Sequence, residues 1–120
     1  MRYIIIILII LISFSGCYYD HASLVYPQTS CNVGSVTYSS SVVGILKASC
    51  YNCHSGTALS GAGIALDNYT TLKAYVTNGQ LMNSISHTGG IPAMPLSGTQ
   101  LNSCEILTIQ TWINNGAPNN

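Results

Sequence analysis

The residues best equipped for chemistry are Cys50-Tyr51-Asn52-Cys53-His54. Two thiols separated by two residues, with an imidazole directly after, form the C-x-x-C-H pattern that attaches haem covalently. Each thiol can add to one haem vinyl group as a thioether, and the two-residue spacing matches the separation of the vinyls. His54 then falls beneath the iron as an axial ligand. Two other chemistries use a C-x-x-C pair. Structural zinc needs two further ligands in a second spaced pair, whereas Cys17, Cys31 and Cys104 are isolated from one another. A thioredoxin-like redox pair belongs near a βαβ pattern, which the flanks lack. The motif therefore reads as the attachment site of one covalent haem c.

With His54 alone the iron would be five-coordinate and open to small molecules, so the sixth ligand decides function. Met94 lies in Gly89-Gly90-Ile91-Pro92-Ala93-Met94-Pro95, where two prolines restrict the backbone and can hold a thioether at the iron. Thioether ligation raises the reduction potential. His87 is the rival: it would give a bis-histidine haem of lower potential, or else sit at the haem rim near a propionate. Met82 falls in a helical stretch and fills core space, and His21 lies in a polar segment and reads as solvated.

The N-terminus sets the expected compartment. Arg2 precedes an apolar run, Ile4 to Ile12, shorter than the roughly 20 residues of a spanning helix and laid out like a secretory signal. Ser15-Gly16-Cys17 resembles the lipobox of bacterial lipoproteins, with Phe14 where an aliphatic residue is usual. That resemblance implies cleavage before Cys17 and a lipid on Cys17; an ordinary cleaved signal with Cys17 left free is the alternative. Export suits the motif, because bacteria attach haem outside the cytoplasmic membrane. Of the five cysteines, Cys31 and Cys104 then remain, and in an oxidising compartment they read as a disulfide. Closing a loop of roughly 70 residues contributes about 4 kcal/mol in the chain-entropy model. Two buried free thiols are the alternative.

Stepping outward, removal of residues 1–16 leaves 120 − 16 = 104 residues, enough for one small domain. Lys47 and Lys73 stand against Asp20, Asp67 and Glu105, a balance of 2 − 3 = −1. No basic patch exists for nucleic acid, and no polybasic run supports a second membrane contact. Electrostatic steering of a partner is expected to be weak. Residues 17–36 read as a lipid-anchored tether and 37–120 as the haem domain. A first helix from about Ser39 to Cys50 delivers the motif at its C-terminal end. Residues 55–66 read as loop, Asn68 to Val76 as a short helix, and Leu81 to Ser86 as another turn or two. Asn102 with Glu105 marks a capping-box start for a last helix that ends at Gly116 and Pro118. No alternating strand pattern appears, so the expected fold is all-α.

The order of helix, Cys50–His54 motif, loop, short helices, Pro-flanked Met94 and a last helix with Trp112 resembles class I cytochrome c over about residues 37–118. The stretch before Asp67-Asn68-Tyr69 and the ending Trp112-Ile113-Asn114-Asn115-Gly116-Ala117-Pro118 are similar to small envelope cytochromes of Bacteroidota-type bacteria. The resemblance implies three to five helices around one haem, with first and last helices crossed and His54 and Met94 as axial ligands. Val42 and Leu46 stand where the family often carries Gly and an aromatic, so Gly44 is expected to give Trp112 its close approach. Residues 55–66 lack the Pro whose carbonyl receives the axial histidine in mitochondrial-type members, so another carbonyl there is expected to accept from His54. Val42, Leu46, Leu59, Ile64, Leu66, Leu72, Ile85 and Ile109 are the expected haem shell.

The function these features imply is electron transfer, not enzymatic conversion of a small-molecule substrate. The partners would be redox proteins of the cell envelope, with the domain in the periplasm or at the cell surface. The absence of Asp after Cys17 leans toward the outer membrane. The competing expectations are a haem peroxidase or gas sensor with an open sixth position, or a surface lipoprotein without haem.

Overall fold

A computed structural model describes residues 31–96 and 98–120. The readings of a signal at 1–16, a lipid on Cys17, a solvated His21 and most of the tether fall outside the described residues. Among the described residues there are helices and turns and no strands, so the fold is all-α. None of these helices is long and apolar enough to cross a membrane.

A π-helical turn, Tyr38–Val42, runs directly into α1, Val43–Ser49. Thr37 caps the turn by accepting from the Ser40 amide, using the side-chain oxygen that such N-terminal positions favour. A 3₁₀ turn, Leu59–Gly61, interrupts the loop that follows the motif. Helix α2, Tyr69–Thr77, is capped by Asn68, and α3, Gln80–Ile85, follows after Gly79. Helix α4, Ser103–Asn114, carries the full capping box expected of it: Asn102 accepts from the Glu105 amide while the Glu105 carboxylate accepts from the Asn102 amide. Gly116 and Ala117 then end α4 in left-handed conformations, with their amides on the Ile113 and Trp112 carbonyls. This is the Schellman closure.

Apolar spacing on these helices builds one core. Val42, Leu46, Leu72, Ile85, Ile109 and Trp112 are its largest fully buried side chains, each stabilising the fold by roughly 2 kcal/mol through removal from water. The first and last elements meet through aromatics. Tyr38 stacks on Trp112 with centroids 5.7 Å apart and meets Tyr69 edge-on at 5.1 Å. Gly44 does not take the expected part, for its helix face is open, with nothing within 4 Å of a Cβ built there. The contact is made one turn earlier by Tyr38, whose ring fills the space that a close backbone approach would have closed.

Two distant sequence blocks also come together. Tyr69 donates its hydroxyl to the Ala117 carbonyl at 2.7 Å, and Lys73 reaches the Gly116 and Ala117 carbonyls. Trp112 Nε1–H donates to the Pro118 carbonyl at 2.9 Å. Cys31 is disulfide-bonded to Cys104, with Cα atoms 5.5 Å apart, and this fixes the stretch before the π turn to the first turn of α4.

Candidate functional site

The end of α1 and the loop behind it fold into a cradle for one imidazole. The amides of Cys50 and Tyr51 both return to the Leu46 carbonyl, and those of Cys53 and His54 to the Cys50 carbonyl, so the motif forms a tight coil after α1. Leu66 N–H then donates to the His54 carbonyl at 2.8 Å, and Gly56 N–H to the Asp67 carboxylate at 2.9 Å. The loop 55–66 is thereby closed on the motif. Its turns rest on left-handed residues, among them Ala58 and Ala62, a conformation that costs a non-glycine residue on the order of 1 kcal/mol.

His54 Nδ1 lies 3.0 Å from the Ile64 carbonyl oxygen. A carbonyl only accepts, so Nδ1 carries the proton and Nε2 keeps its lone pair. This is the backbone acceptor that sequence reasoning placed within 55–66 without naming. Beside the same ring, a Cβ at Gly61 would lie 2.5 Å from both the Cys53 carbonyl oxygen and His54 Nδ1. The Ile64 carbonyl sets the tautomer, and the bare Cα of Gly61 leaves the ring the room to reach it.

His54 lines a cavity of about 630 Å³, within the range of small-molecule and cofactor sites. Cys50 and Cys53 share its wall with His54, and Met94 with Pro95 lines it as well. Ile64, Leu66, Tyr75, Leu81, Ile85 and Leu101 supply apolar walls. The Cys50–His54 motif and Met94, 40 residues apart in sequence (94 − 54 = 40), are thus brought to one cavity. Burial pushes the Cys50 thiol up to about 11, with Glu105 adding to the shift, while Cys53 is exposed. Met94 is half-buried and held by its backbone: its N–H donates to the Ser84 carbonyl and its carbonyl accepts from His87 Nε2, both at 3.0 Å.

Several expected wall residues lie elsewhere. Leu59 is 87% exposed, because the 3₁₀ turn that brings Gly61 to His54 turns its neighbour outward. Val42, Leu46, Leu72 and Ile109 are wholly in the core and not on the cavity wall, since the helix faces that bear them pack on one another. Tyr75, Leu81 and Leu101 line the cavity without having been singled out, although Leu81 and Leu101 are buried apolar residues beside helix ends. His87 is not among the walls; it is exposed, with its ring on the Met94 carbonyl. Met82 is half-buried and packs against the core.

Comparison with protein-family models, with curated proteins and with solved structures finds no match for the chain. The chemistry of the site therefore rests on its own residues. Among the described residues no three His, Cys, Asp or Glu side chains gather into a metal-ion cluster. Haem iron does not ask for such a cluster: it takes four nitrogens from its own macrocycle and one ligand from each side. A cavity lined by Cys50, Cys53, His54 and Met94 together with apolar residues fits that group.

Proposed function

We propose that this chain is a one-electron carrier, a class I-type cytochrome c domain with one haem held by thioethers to Cys50 and Cys53. The single observation that carries this reading is the pinned His54, with Nδ1–H on the Ile64 carbonyl and a free lone pair at Nε2, in the same cavity as both Cys50 and Cys53. Haem c bound there supplies a reversible one-electron change at iron. The protein's residues do the rest. Cys50 and Cys53 would hold the group covalently, each thiol adding its S–H across one vinyl double bond, with no oxidant required. His54 would bind the iron through Nε2, and the Ile64 carbonyl on Nδ1–H would increase its basicity. Met94 would supply a thioether sulfur to the iron, a ligand that favours the ferrous state. Ile64, Leu66, Leu81, Ile85 and Leu101 exclude water from the buried part of the macrocycle, which keeps the reorganisation on electron transfer small.

The N-terminal segment adds a location to this proposal. Residues 1–16 act as an export signal, Cys17 carries lipid, and the domain works beside a membrane, the outer one favoured, passing electrons between envelope partners. A tether raises the local concentration of a partner on the same membrane, which suits a domain with so few charges to steer by.

The deciding experiment is the absorption spectrum of both redox states of the full chain, expressed with a haem-attachment system, beside that of Met94→Ala. Wild type is expected to hold covalent, low-spin haem, and Met94→Ala to turn ferric high-spin and bind cyanide without a lag. A wild type already high-spin would favour a peroxidase or gas sensor. A wild type without covalent haem would leave a surface lipoprotein in which the motif is incidental.

A further inference from the structure

We infer that His87 is a positioning residue that holds the Met94 loop against the iron from outside the cavity, an inference that rests on the haem reading above. Its backbone supplies the first reason. After α3 the Thr88 amide donates to the Asn83 carbonyl at 2.9 Å and the His87 amide to the Ser84 carbonyl at 3.3 Å. That is a Schellman closure in which His87 occupies the left-handed position, at φ 55°. Glycine is the usual occupant, and a β-substituted residue there costs on the order of 1 kcal/mol. Glycines were at hand in this chain, for Gly89 and Gly90 follow at once. A histidine at that position brings a ring donor to the start of the Met94 loop.

That use is visible. Nε2 lies 3.0 Å from the Met94 carbonyl oxygen, so Nε2 carries the proton and donates. On the other side of the same residue, Met94 N–H donates to the Ser84 carbonyl. Both backbone groups of Met94 are thereby tied to the end of α3, one by the helix and one by His87. The loop is keyed further where Gly89 packs on Asn83, whose Nδ2 would lie 2.8 Å from a Cβ at that glycine. The clamp limits how far the thioether can withdraw, so an external ligand must displace Met94 against it.

The test is cyanide affinity of the ferric, haem-loaded full chain for wild type, His87→Gly, His87→Gln, Met94→Ala and the His87→Gly/Met94→Ala pair. Glycine relieves the left-handed backbone, so a residue with only a structural role would leave the chain equally or more stable with unchanged cyanide binding. A positioning residue instead gives a rise in cyanide affinity on the order of tenfold, the worth of one net hydrogen bond. The ferric methionine–iron charge-transfer band weakens in parallel, and glutamine, which keeps a donor, restores part of both. With Met94 removed, His87→Gly adds nothing further. Wild-type cyanide affinity in His87→Gly, or an equal rise in the Met94→Ala background, overturns the inference while leaving the haem reading intact. A wild type without covalent haem removes that reading, and this one with it.

Discussion

At the scale of single residues, the site depends on one atom that is missing. Gly61 has no Cβ, and the space where one would stand is taken by the His54 ring and the Cys53 carbonyl. Its φ is not in the left-handed region, so alanine there is permitted by the backbone and excluded only by its neighbours. Gly61→Ala is expected to push the imidazole off the Ile64 carbonyl, destabilise the fold by about 1–3 kcal/mol and shift the reduction potential of the loaded protein. Denaturant unfolding together with a potentiometric titration checks this; an unchanged midpoint and potential would show that the ring has room to spare. The sequence could not single Gly61 out. Gly56, Gly61 and Gly63 sit in one aperiodic run, and only the fold tells which of them faces His54. The acceptor at Ile64 was hidden for a related reason: a carbonyl belongs to every residue, so its role carries no side-chain signature. Cys50, Cys53, His54 and Met94 could be singled out by residue type and spacing, and the fold brings the four to one cavity.

At the scale of elements, the helices were legible wherever local physics decides them. The capping pair Asn102 and Glu105 announced α4, and Asn78-Gly79 marked the end of α2, because caps and left-handed turns are set by a few adjacent residues. The interface between elements was not. Apolar periodicity placed Val42, Leu46 and Ile109 on inward faces, but "inward" means core here and cavity wall elsewhere, and a period cannot separate the two. The crossing of first and last elements likewise followed side-chain volume. Where Gly44 offered a close approach, the chain used Tyr38 on Trp112 with Tyr69 against its edge. Tyr38, which makes that aromatic contact, is the first residue of the π-helical turn Tyr38–Val42.

At the scale of the whole molecule, two quantities follow from what crosses between distant segments. The Cys31–Cys104 bridge spans a sequence separation of 73; its replacement by two serines is expected to lower unfolding free energy by about 4 kcal/mol. Equal stability of the two proteins in denaturant titration would show that the unfolded chain does not feel the constraint. The second quantity is alkaline stability. Tyr51 is pushed from its ordinary 10.0 to about 12, first by burial and then by its neighbours Tyr38 and Asp67; burial also raises Tyr38. A raised value means that folded and unfolded chains are alike neutral there below pH 10, where the contribution is fully present. Between about 10 and 12 the unfolded chain ionises first, so stability falls as pH rises. Tyr51→Phe is expected to flatten that fall, measured as the unfolding midpoint across the same window; a slope equal to wild type would place its cause elsewhere.

The disulfide also sets where a force would enter the domain. A pull arriving along the chain from the residues before Cys31 crosses the sulfur–sulfur bond to Cys104 and is borne by the first turn of α4, the turn secured by the capping box. Residues 32–37 run from that junction to the π turn, where Val36 packs on the core and Thr37 caps the turn. Load on Cys31 is thus shared between the start of α4 and the π turn, so the backbone into α1 and the Cys50–His54 motif is not its sole path.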